Sequence, residues 1–401
     1  MLYLISVVLP VYNCEKYLRD SLDSIANQTL GIENIEVIIV DDCSTDNSFE
    51  IAKEYESKYP SIKTVQHEYN QGCGPGRNTG LKYVTTDYVT YLDGDDIVSE
   101  NAYERSLEIF NNDKEVDLVL FRWEEFDENG LLNTKDLCKD LLKEDKIITD
   151  IKDYPEIIFA TYAYIKVYSR KLFKYLDFPE RNYQDNVVSA RVMKNSKRIY
   201  VAGDIIVYYR QHDIQSTRKP PVSKYLDVLN SSRQVIDLRE DCLDYYDLLS
   251  FLSLKLVYHC IWYICKSRNF TVEDGEIIFP ILKEFPKFFS KDMLKKYQDF
   301  FPNYLPCSEQ SLWDIENMDF WEYVLKNRYQ NDMTLLNDEN FSLRKEINIL
   351  KDNNSSLISR VKNLEDENSS LKNQNKTLNN RISQYKSRKI VRLTDKIRKI
   401  F

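Results

Sequence analysis

Two acidic clusters follow apolar runs in the first hundred residues, and their side chains are the best suited to chemistry. The tetrad Asp93-Gly94-Asp95-Asp96 comes directly after the β-rich run Tyr88–Leu92. Carboxylates two residues apart at the end of a strand can hold a divalent cation and leave positions open for phosphate oxygens. A D-x-D pair alone is a weak signal, because most such pairs are solvated turns. Its place after an apolar strand favours metal and phosphate binding.

The second acidic cluster, Asp41-Asp42, follows the apolar run Ile35–Val40. The residues Ser44–Asp46 supply N-cap side chains for the next helix, but two aspartates before a cap exceed what capping requires. A carboxylate here would accept the imide N–H of a uracil ring. The first apolar run ends at Pro10-Val11-Tyr12-Asn13, whose ring and backbone are suited to hold a flat base.

A glycine-rich segment, Asn70–Gly80, opens a predicted helix. It lacks the Lys-Ser/Thr of a P-loop and does not match G-x-G-x-x-G, which excludes ATPase and dinucleotide-binding classes. Glycines at these positions permit a close approach of the backbone. Arg77 within the segment is placed to meet a phosphate or a base edge.

These motifs need a scaffold that brings strand ends together. Residues 4–125 alternate β-rich runs with helical patterns, which predicts an α/β fold with a parallel-rich sheet and ligands at the carboxyl ends of its strands. From about Lys224 to Tyr329 the pattern is mostly helical. The predicted strands are Leu4–Leu9, Ile35–Val40, Lys63–Gln66, Tyr88–Leu92 and Val116–Phe121, and a first helix is predicted over Glu15–Gln28.

Composition and charge exclude several classes of protein. The 401 residues contain 55 Lys and Arg against 64 Asp and Glu, a net charge of −9, so no nucleic-acid partner is expected. Eight cysteines show no C-x-x-C spacing, which indicates a reducing cytosol rather than a zinc or redox site. The N-terminus lacks the cationic region of a signal peptide. The longest apolar stretch, Leu248–Cys265, contains Lys255 and His259, so a buried helix is preferred to a membrane span.

In this order and spacing, the motifs resemble the family-2 glycosyltransferases with the GT-A fold, over Ile5 to about Thr217. The resemblance implies a Rossmann-like mixed, mostly parallel sheet between helices, and a nucleoside-diphosphate sugar as donor, with a UDP-sugar preferred. It also implies that Asp93 contacts the ribose and that Asp95 holds the diphosphate through Mg²⁺ or Mn²⁺. The family usually has glycine where Cys43 stands. The expected substrate contacts are Pro10, Val11, Tyr12, Asn13, Asp41, Asp42, Asn70, Arg77, Asp93, Arg210 and Ser216.

The family's catalytic base is the aspartate of a Glu-Asp pair, which reads Gln184-Asp185 here. The resemblance therefore implies that Asp185 deprotonates the acceptor in a single displacement that inverts the anomeric centre. Glu180 is an alternative base, but its offset is wrong. Asp185 is also placed to cap a helix over Asn186–Met193, and the two roles can coexist.

Downstream, Tyr208–Thr217 resembles the stretch that closes over the diphosphate in this family. Arg210 and His212 are its candidate donors, and His212 is also a candidate metal ligand. The other two histidines, His67 and His259, lie in strand and helix patterns and are interpreted as structural. Donor choice would depend on the pocket around Tyr162, Tyr164 and Tyr183, which are equally compatible with core positions.

The C-terminal segment repeats leucine every seven residues. Leucine at d with Ile, Val and Asn at a is typical of a parallel two-stranded coiled coil, and the alternative is an amphipathic helix packed on its own domain. The d positions are Leu336, Leu343, Leu350, Leu357, Leu364, Leu371 and Leu378, and the a positions are Asn340, Ile347, Asn354, Val361, Asn368, Asn375 and Ile382.

Residues 386–401 carry seven Lys and Arg and one Asp, with Ile390, Leu393 and Ile397 on one helical face. A basic amphipathic helix favours an anionic membrane surface, and a solvated tail is the alternative. The predicted organisation is a GT-A domain over 1–222, a helical domain over 223–330, a dimeric coiled coil over 331–386 and a membrane-surface helix over 387–401.

Together these features predict an inverting, metal-dependent glycosyltransferase, peripheral at the cytoplasmic face of the cell membrane. The resemblance implies an acceptor hydroxyl on a cell-surface glycan, a teichoic acid (a polyol phosphate) or a lipid-linked molecule. A non-catalytic, membrane-tethered scaffold that only binds nucleotide sugar is the alternative. A metal phosphoesterase is disfavoured because the histidine–carboxylate clusters of a two-metal site are missing from the sequence.

Overall fold

The structure is a computed structural model that divides into two compact units, Met1–Asn327 and Arg328–Phe401. The predicted contact Ser216, the first part of the heptad repeat (331–356) and the basic tail at 387–401 lie outside the residues that it describes. The predicted domain boundary at residue 222 stays a prediction. The described residues are 3–134, 137–179, 183–212, 222–240, 245–266, 272–293, 295, 309–318, 323, 357–381 and 383–384.

In the described part of the chain, ten strands form one sheet, in the order β3-β2-β1-β4-β9-β6-β10-β5, with β7 paired to β6 and β8 to β10. All five predicted strands are present. The bounds are β1 Ile5–Val11, β2 Ile35–Asp41, β3 Ile62–Gln66, β4 Tyr88–Tyr91, β5 Ile97–Val98, β6 Leu118–Asp127, β7 Gly130–Leu132, β8 Lys146–Ile148, β9 Lys166–Ser169 and β10 Ile199–Arg210.

The sheet is mixed, and its parallel part lies around β1. The pairs β1–β2, β2–β3, β1–β4 and β6–β10 are parallel, whereas β9 runs antiparallel to both of its neighbours. The short strands β5, β7 and β8 add three more antiparallel pairs. Four of nine pairings are therefore parallel, fewer than the expected mostly parallel sheet, because residues beyond 126 add strands where the sequence predicts only turns and short elements.

Every residue of β1 and of β2 is buried, which is typical of central parallel strands covered on both faces. The α-helices given bounds in the described part of the first unit are α1 Leu18–Ala26, α2 Ser48–Lys58, α3 Cys73–Leu81, α4 Ala102–Asn112, α5 Leu137–Leu141, α6 Gln184–Asn195, α7 Val222–Glu240, α8 Tyr246–Lys266, α9 Val272–Leu282 and α10 Glu309–Asn317.

Two glycines of the glycine-rich segment let α3 lie directly on β1. A Cβ on Gly80 would be 2.3 Å from Val8 Cγ1, and one on Gly76 would be 3.1 Å from Pro10 Cβ. Spaced four residues apart, the two glycines share one face of α3. The close approach predicted for these glycines is thus made to a strand, and it places Arg77 beside the carboxyl end of β1.

The helical segment belongs to the same compact unit as the sheet. Helices α7 and α8 pack together, and Ser232 Oγ lies 2.7 Å from Ser253 Oγ between them. Helix α7 also contacts α6, where Ser231 Oγ donates to the carbonyl of Tyr183 at 3.2 Å. Among the described helices, α8 included, none has the length and apolar character required to span a membrane.

In the second unit, residues 357–381 form a helix whose side chains are all exposed. Its heptad leucines Leu357, Leu364, Leu371 and Leu378 are 54–63% exposed. The helical prediction is confirmed for this stretch.

The contact between α3 and β1 gives a stability test. Replacing Gly80 with alanine raises helix propensity by about 1 kcal/mol. The new Cβ nevertheless collides with Val8, so we expect a net loss of about 1–3 kcal/mol in the free energy of unfolding, measured by urea titration. The double variant Val8→Ala/Gly80→Ala should lose less than the sum of the single variants. A Gly80→Ala protein as stable as wild type would contradict this packing.

Candidate functional site

The loops that follow β1 and β2 are hydrogen-bonded to each other. The Asp42 backbone N–H donates to the carbonyl of Val11 at 2.8 Å. The Asn13 side chain accepts from Thr45 N at 2.7 Å, and Asn13 N donates to Ser44 Oγ at 3.1 Å. These bonds make one rigid edge from two segments thirty residues apart. Ser44, interpreted from sequence as a capping residue, instead joins the two loops.

At this edge, Pro10 is buried against α3, whereas the ring of Tyr12 is 49% exposed. An exposed ring next to a buried backbone segment is compatible with stacking on a flat base. The base-binding role of Pro10, Val11, Tyr12 and Asn13 stays a prediction.

The two adjacent aspartates have different environments. Both oxygens of Asp42 are used: Oδ1 accepts from His67 Nδ1 at 2.7 Å and from Gln71 N at 2.8 Å, and Oδ2 accepts from Gly72 N at 2.6 Å. Asp42 therefore holds the glycine-rich segment against the β2 loop. Asp41 is fully buried, and its Oδ1 has no hydrogen-bond partner among the described residues. Of the pair, only Asp41 has a carboxylate oxygen without a hydrogen-bond partner in the described part of the chain.

His67 extends this network towards α3. Its Nε2 lies 3.0 Å from Thr79 Oγ1, so Asp42, His67 and Thr79 form a carboxylate–imidazole–hydroxyl chain. His67 is 8% exposed. The buried network supports the structural interpretation of His67 and leaves the loop positions dependent on Asp42.

Three of the described non-glycine residues adopt left-handed backbone conformations, two of them in the β1 and β2 loops. They are Asn13 with φ 49°, Cys43 with φ 61° and Tyr183 with φ 57°. A side chain at such φ values costs about 1 kcal/mol or more relative to glycine. The turn at Cys43 thus has the conformation that glycine would adopt most easily, and the chain retains it with a cysteine.

Arg77 links two carboxylates from distant segments. Its Nη2 donates to Asp93 Oδ1 at 2.9 Å, and its Nη1 donates to Asp185 Oδ1 at 3.0 Å. The guanidinium is 2% exposed and lies 5.8 Å from the centroid of Tyr91 and 5.4 Å from that of Phe178. Arg77 therefore connects the D-x-D loop to α6, a role that the sequence did not predict. A direct contact of Arg77 with nucleotide stays a prediction.

Asp185 is the second residue of α6, which begins at Gln184, two residues before the predicted start. The N-cap position is occupied by Tyr183, so Asp185 lies within the first turn. Its Oδ1 accepts from Arg77, and its Oδ2 accepts from Ala163 N at 3.2 Å. With its side chain 20% exposed, Asp185 stays accessible to a substrate hydroxyl.

A second cluster surrounds Asp95 at the end of β10. His212 Nε2 lies 3.0 Å from Asp95 Oδ2. Arg210 donates from Nε to the carbonyl of Asp95 at 2.9 Å and from Nη2 to Asp20 Oδ2 at 2.9 Å. The backbone N–H of Arg210 donates to Asp96 Oδ1 at 2.8 Å. Arg210 thus fixes the D-x-D loop to β10, and its contact with a diphosphate stays a prediction.

Burial and neighbouring charges shift the pKa values of two aspartates in the D-x-D loop. Burial raises the pKa of Asp93, although the Arg77 guanidinium opposes the shift. Burial also raises the pKa of Asp96 well above its usual range, and the carboxylates of Asp95 and Asp93 add to the effect. Like charges held this close disfavour a fully ionised cluster, and a cation brought beside it would relieve the repulsion.

The donor set at Asp95 fits a divalent cation in part. A carboxylate facing an imidazole nitrogen supplies two ligand types that Mn²⁺ accepts, and carboxylate oxygen suits Mg²⁺. His212 Nδ1 is buried without a partner in the described part of the chain, so only Nε2 faces Asp95. No group of three or more His, Cys, Asp or Glu side chains suited to a metal occurs among the described residues. The remaining ligands would therefore come from phosphate oxygens and water.

The predicted residues converge along one chain of contacts. The β1 and β2 loops are joined at Asn13, Asp42 ties them to the glycine-rich segment, and Arg77 continues to Asp93 and Asp185. The D-x-D loop then leads to His212. Asn70 lies half-buried in the glycine-rich loop before α3. The convergence is observed, and the individual roles stay predictions.

Sequence reasoning missed several neighbours of these residues. The Ala163 N–H binds Asp185, and the ring of Tyr17 lies 4.5 Å from His212 and 4.8 Å from the guanidinium of Arg210. A backbone N–H donor such as that of Ala163 cannot be predicted from residue type, because every residue except proline has one. Tyr17 carries a weak signal, an aromatic residue just after Pro10–Asn13.

With the geometry established, comparison with known proteins identifies relatives. The family model described as glycosyl transferase family 2 matches residues 6–176. The glycosyltransferase GlyG of Streptococcus pneumoniae is 30% identical over 218 residues, which cover 52% of this chain and 71% of GlyG. The minor teichoic acid biosynthesis protein GgaB of Bacillus subtilis is 46% identical over 118 residues, 29% of this chain but only 13% of GgaB.

The poly(ribitol-phosphate) beta-N-acetylglucosaminyltransferase TarS of Staphylococcus aureus is 31% identical over 51% of this chain and 35% of its own length. A crystal structure of TarS residues 1–349 in complex with UDP-GlcNAc superimposes with a TM-score of 0.63 at 22% identity, covering 82% of this chain and 92% of that one. This likeness confirms the GT-A-like mixed sheet with helices. The chain thus matches a minor part of GgaB and of TarS.

The different hydrogen bonding of Asp41 and Asp42 yields a stability prediction. In an Asp42→Asn variant, one amide N–H must face a backbone or imidazole donor, so we expect a loss of about 2–3 kcal/mol in unfolding free energy, measured by urea titration. Asp41→Asn is the matched control: at the place of Oδ1 its amide meets no hydrogen-bond donor, so it should lose less than Asp42→Asn. Equal losses would contradict the assignment of Asp42 as the loop anchor.

Proposed function

Because the chain belongs to glycosyl transferase family 2, we propose that it is an inverting, metal-dependent glycosyltransferase that uses a UDP-sugar. The acceptor is a hydroxyl of a cell-surface glycan, a teichoic acid or a lipid-linked molecule, and a polyol phosphate is preferred. The observation that carries the proposal is the Arg77 bridge between the D-x-D loop and Asp185. The printed names of GgaB and TarS, and the UDP-GlcNAc bound to TarS, support the substrate classes.

We assign the donor to the edge of the sheet formed by the β1, β2 and D-x-D loops. Asp41 offers a buried acceptor for the imide N–H of uracil, and Tyr12 offers a ring for stacking. Asp93 lies between this edge and Asp185. Asp95 and His212 would hold Mg²⁺ or Mn²⁺, which supplies positive charge for the departing diphosphate.

Asp185 acts as the general base. Each of its oxygens accepts one hydrogen bond and keeps a further lone pair, so an acceptor hydroxyl can bind there. As the acceptor oxygen bonds to the anomeric carbon, the bond from that carbon to the diphosphate oxygen breaks, and UDP leaves with the electron pair. Asp185 takes the hydroxyl proton. One displacement from the opposite face inverts the anomeric centre without a covalent intermediate.

The catalytic prediction concerns Asp185→Asn. This variant should lose transfer by at least about 10²–10⁴-fold, the usual value of a general base, while its UDP affinity changes less than about threefold. Transfer is measured as UDP release from UDP-GlcNAc and other UDP-sugars, with and without polyol phosphate. UDP affinity is measured by titration calorimetry. EDTA should abolish release. Asp87→Asn, which alters an exposed carboxylate paired with Arg170, is the control and should retain activity.

Two outcomes would overturn this assignment. An active Asp185→Asn enzyme would reject the base, and a product that NMR shows with the donor's anomeric configuration would reject single displacement. Wild-type protein that binds UDP-sugar yet releases no UDP under any of these conditions would support the alternative, a non-catalytic scaffold.

We also propose that the chain forms a parallel dimer through its heptad repeat. The described part of the repeat, 357–381, exposes Val361 and the d-position leucines on one stripe, and a second copy with the same stripe would cover it. Asn368 and Asn375 at a positions would fix the register, since each asparagine then meets its own counterpart. The basic residues at 387–401 support a peripheral position at the cytoplasmic face of the membrane.

Sedimentation of the full chain tests the dimer. Wild type should sediment at twice 47.7 kDa, and Leu364→Asp/Leu371→Asp should be shifted to monomer because charges at d positions are buried in the seam. The control Ser369→Asp/Ser370→Asp places the same charges at outward positions of the same turn and should stay dimeric. A monomeric wild type would reject the zipper.

A further inference from the structure

Tyr17 occupies the N-cap position of α1, where a small polar residue would be more favourable. Its side chain makes no capping hydrogen bond. Ser, Thr, Asp and Asn are preferred at this position because their side-chain oxygens accept from the first backbone N–H groups of the helix, which a phenol ring does not do. A residue that breaks a local rule of this kind is expected where its side chain has another function.

The ring of Tyr17 lies against His212. The two ring centroids are 4.5 Å apart, and the ring planes are tilted by 36°. Tyr17 is half-buried, and the His212 side chain is 13% exposed. The contact joins the loop after β1 to the residues that follow β10, so it forms only in the folded chain.

The backbone before His212 is fixed to β6. The Gln211 N–H donates to the carbonyl of Phe126 at 2.7 Å, and its side-chain amide donates to Glu125 Oε2 at 3.0 Å. These bonds continue the pairing of β6 with β10 one residue beyond Arg210, the end of β10. They position the backbone next to His212 but leave its side chain free to rotate about χ1 and χ2.

Within the described part of the chain, two contacts restrict that rotation. His212 Nε2 lies 3.0 Å from Asp95 Oδ2, and the Tyr17 ring packs on the imidazole. Nδ1 is buried without a hydrogen-bond partner among the described residues and does not add a third contact. A single hydrogen bond fixes the place of one ring atom but not the plane of the ring. The plane of the imidazole is therefore set by Tyr17.

That plane matters for cation binding. A neutral imidazole binds a metal ion through a lone pair on one ring nitrogen, and this lone pair lies in the plane of the ring. Residues that orient a ligating histidine therefore change its affinity for the metal without contacting the metal themselves.

Arg210 shares the Tyr17 ring but depends on it less. Its guanidinium lies 4.8 Å from the Tyr17 centroid. It also donates to the carbonyl of Asp95 and to the carboxylate of Asp20, both at 2.9 Å. These bonds remain when the Tyr17 ring is removed, so we expect the larger effect of such a change at His212.

We propose that Tyr17 is a positioning residue that holds the imidazole of His212 in the plane in which Nε2 and Asp95 can bind one divalent cation together. The inference rests on the proposed function, because it concerns the cation assigned there to Asp95 and His212. Tyr17 acts through His212 and needs no contact with the substrate.

The test measures Mn²⁺ binding to the full chain in the presence of UDP. The electron paramagnetic resonance signal of free Mn²⁺ reports binding without any turnover, and a solution of UDP alone is the blank. Tyr17→Leu removes the ring and should raise the Kd for Mn²⁺ about tenfold. Tyr17→Phe keeps the ring and should stay within about twofold of wild type. The control Tyr83→Leu removes an exposed tyrosine beside Lys63 and should not change the Kd.

A double-mutant cycle tests whether Tyr17 acts through His212. His212→Ala removes the proposed ligand, so adding Tyr17→Leu to it should weaken Mn²⁺ binding by less than about twofold further. If the losses of the two single variants instead multiplied in the double variant, Tyr17 would act elsewhere and the proposal would be overturned.

Thermal melting identifies the variants that fold. Tyr17→Asn serves as the second variant should Tyr17→Leu fail to fold, because asparagine supplies a capping side chain while it removes the ring. Tyr17→Asn should melt at a higher temperature than Tyr17→Leu and lose as much Mn²⁺ affinity. A merely structural role of Tyr17 would instead make affinity follow the melting temperature.

Three results would overturn the role of Tyr17. They are a folded Tyr17→Leu or Tyr17→Asn protein with wild-type Mn²⁺ affinity, a Tyr17→Phe protein as impaired as Tyr17→Leu, and a wild type that binds no Mn²⁺ with UDP. A wild type that binds Mn²⁺ in a Tyr17-dependent manner but releases no UDP from any UDP-sugar would refute the proposed function and support the positioning role.

Discussion

One buried guanidinium determines how the candidate site is assembled. Arg77 comes from the helix that lies on β1, and it binds Asp93 after β4 and Asp185 in α6. Burial disfavours a charged guanidinium, but Asp185 and Asp93 nevertheless raise the pKa of Arg77 above its usual range. A buried cation between two carboxylates stabilises a single arrangement, because removing either partner leaves an uncompensated charge. The separation of the D-x-D loop from Asp185 is therefore set by a side chain, independently of any ligand.

That guanidinium reaches its position only because α3 approaches β1 without side chains between them. Gly76 and Gly80 face Pro10 and Val8, and Asp42 holds the loop that precedes the helix. The position of Arg77 therefore depends on three kinds of contact: glycines packed on a strand, a buried carboxylate and a buried ion pair. Each contact joins segments far apart in the chain, so the site depends on the tertiary fold more than on any local motif.

The sequence alone predicts the strands around β1 and the identity of the acidic loops, because apolar runs that end in carboxylates are local signals. It does not predict β9 or β10, whose pairing depends on partners more than thirty residues away. The contact between Arg77 and Asp185 also cannot be predicted from the sequence, since 108 residues separate them. The different environments of Asp41 and Asp42 could not be predicted either, because both are aspartates after the same strand and only the folded loops distinguish them.

The stacking of three tyrosines shows the same limit of sequence-based prediction. Tyr162, Tyr164 and Tyr209 are unremarkable in a chain with 29 tyrosines. Only the β6–β10 pairing and the turn before β9 bring them together. The heptad repeat, in contrast, can be predicted from the sequence, since its period lies within one continuous segment and involves no tertiary contact.

The chain from Asp42 through His67 to Thr79 carries a wider lesson about searching structures for enzymes. Acid, imidazole and hydroxyl stand in the order and at the spacings that define hydrolase triads. Here the imidazole is buried, and both oxygens of the acid bind backbone amides of the glycine-rich loop, so these contacts hold the fold together. Template searches that score atom positions alone would report a protease or an esterase in this molecule. Requiring an exposed imidazole would remove that false match.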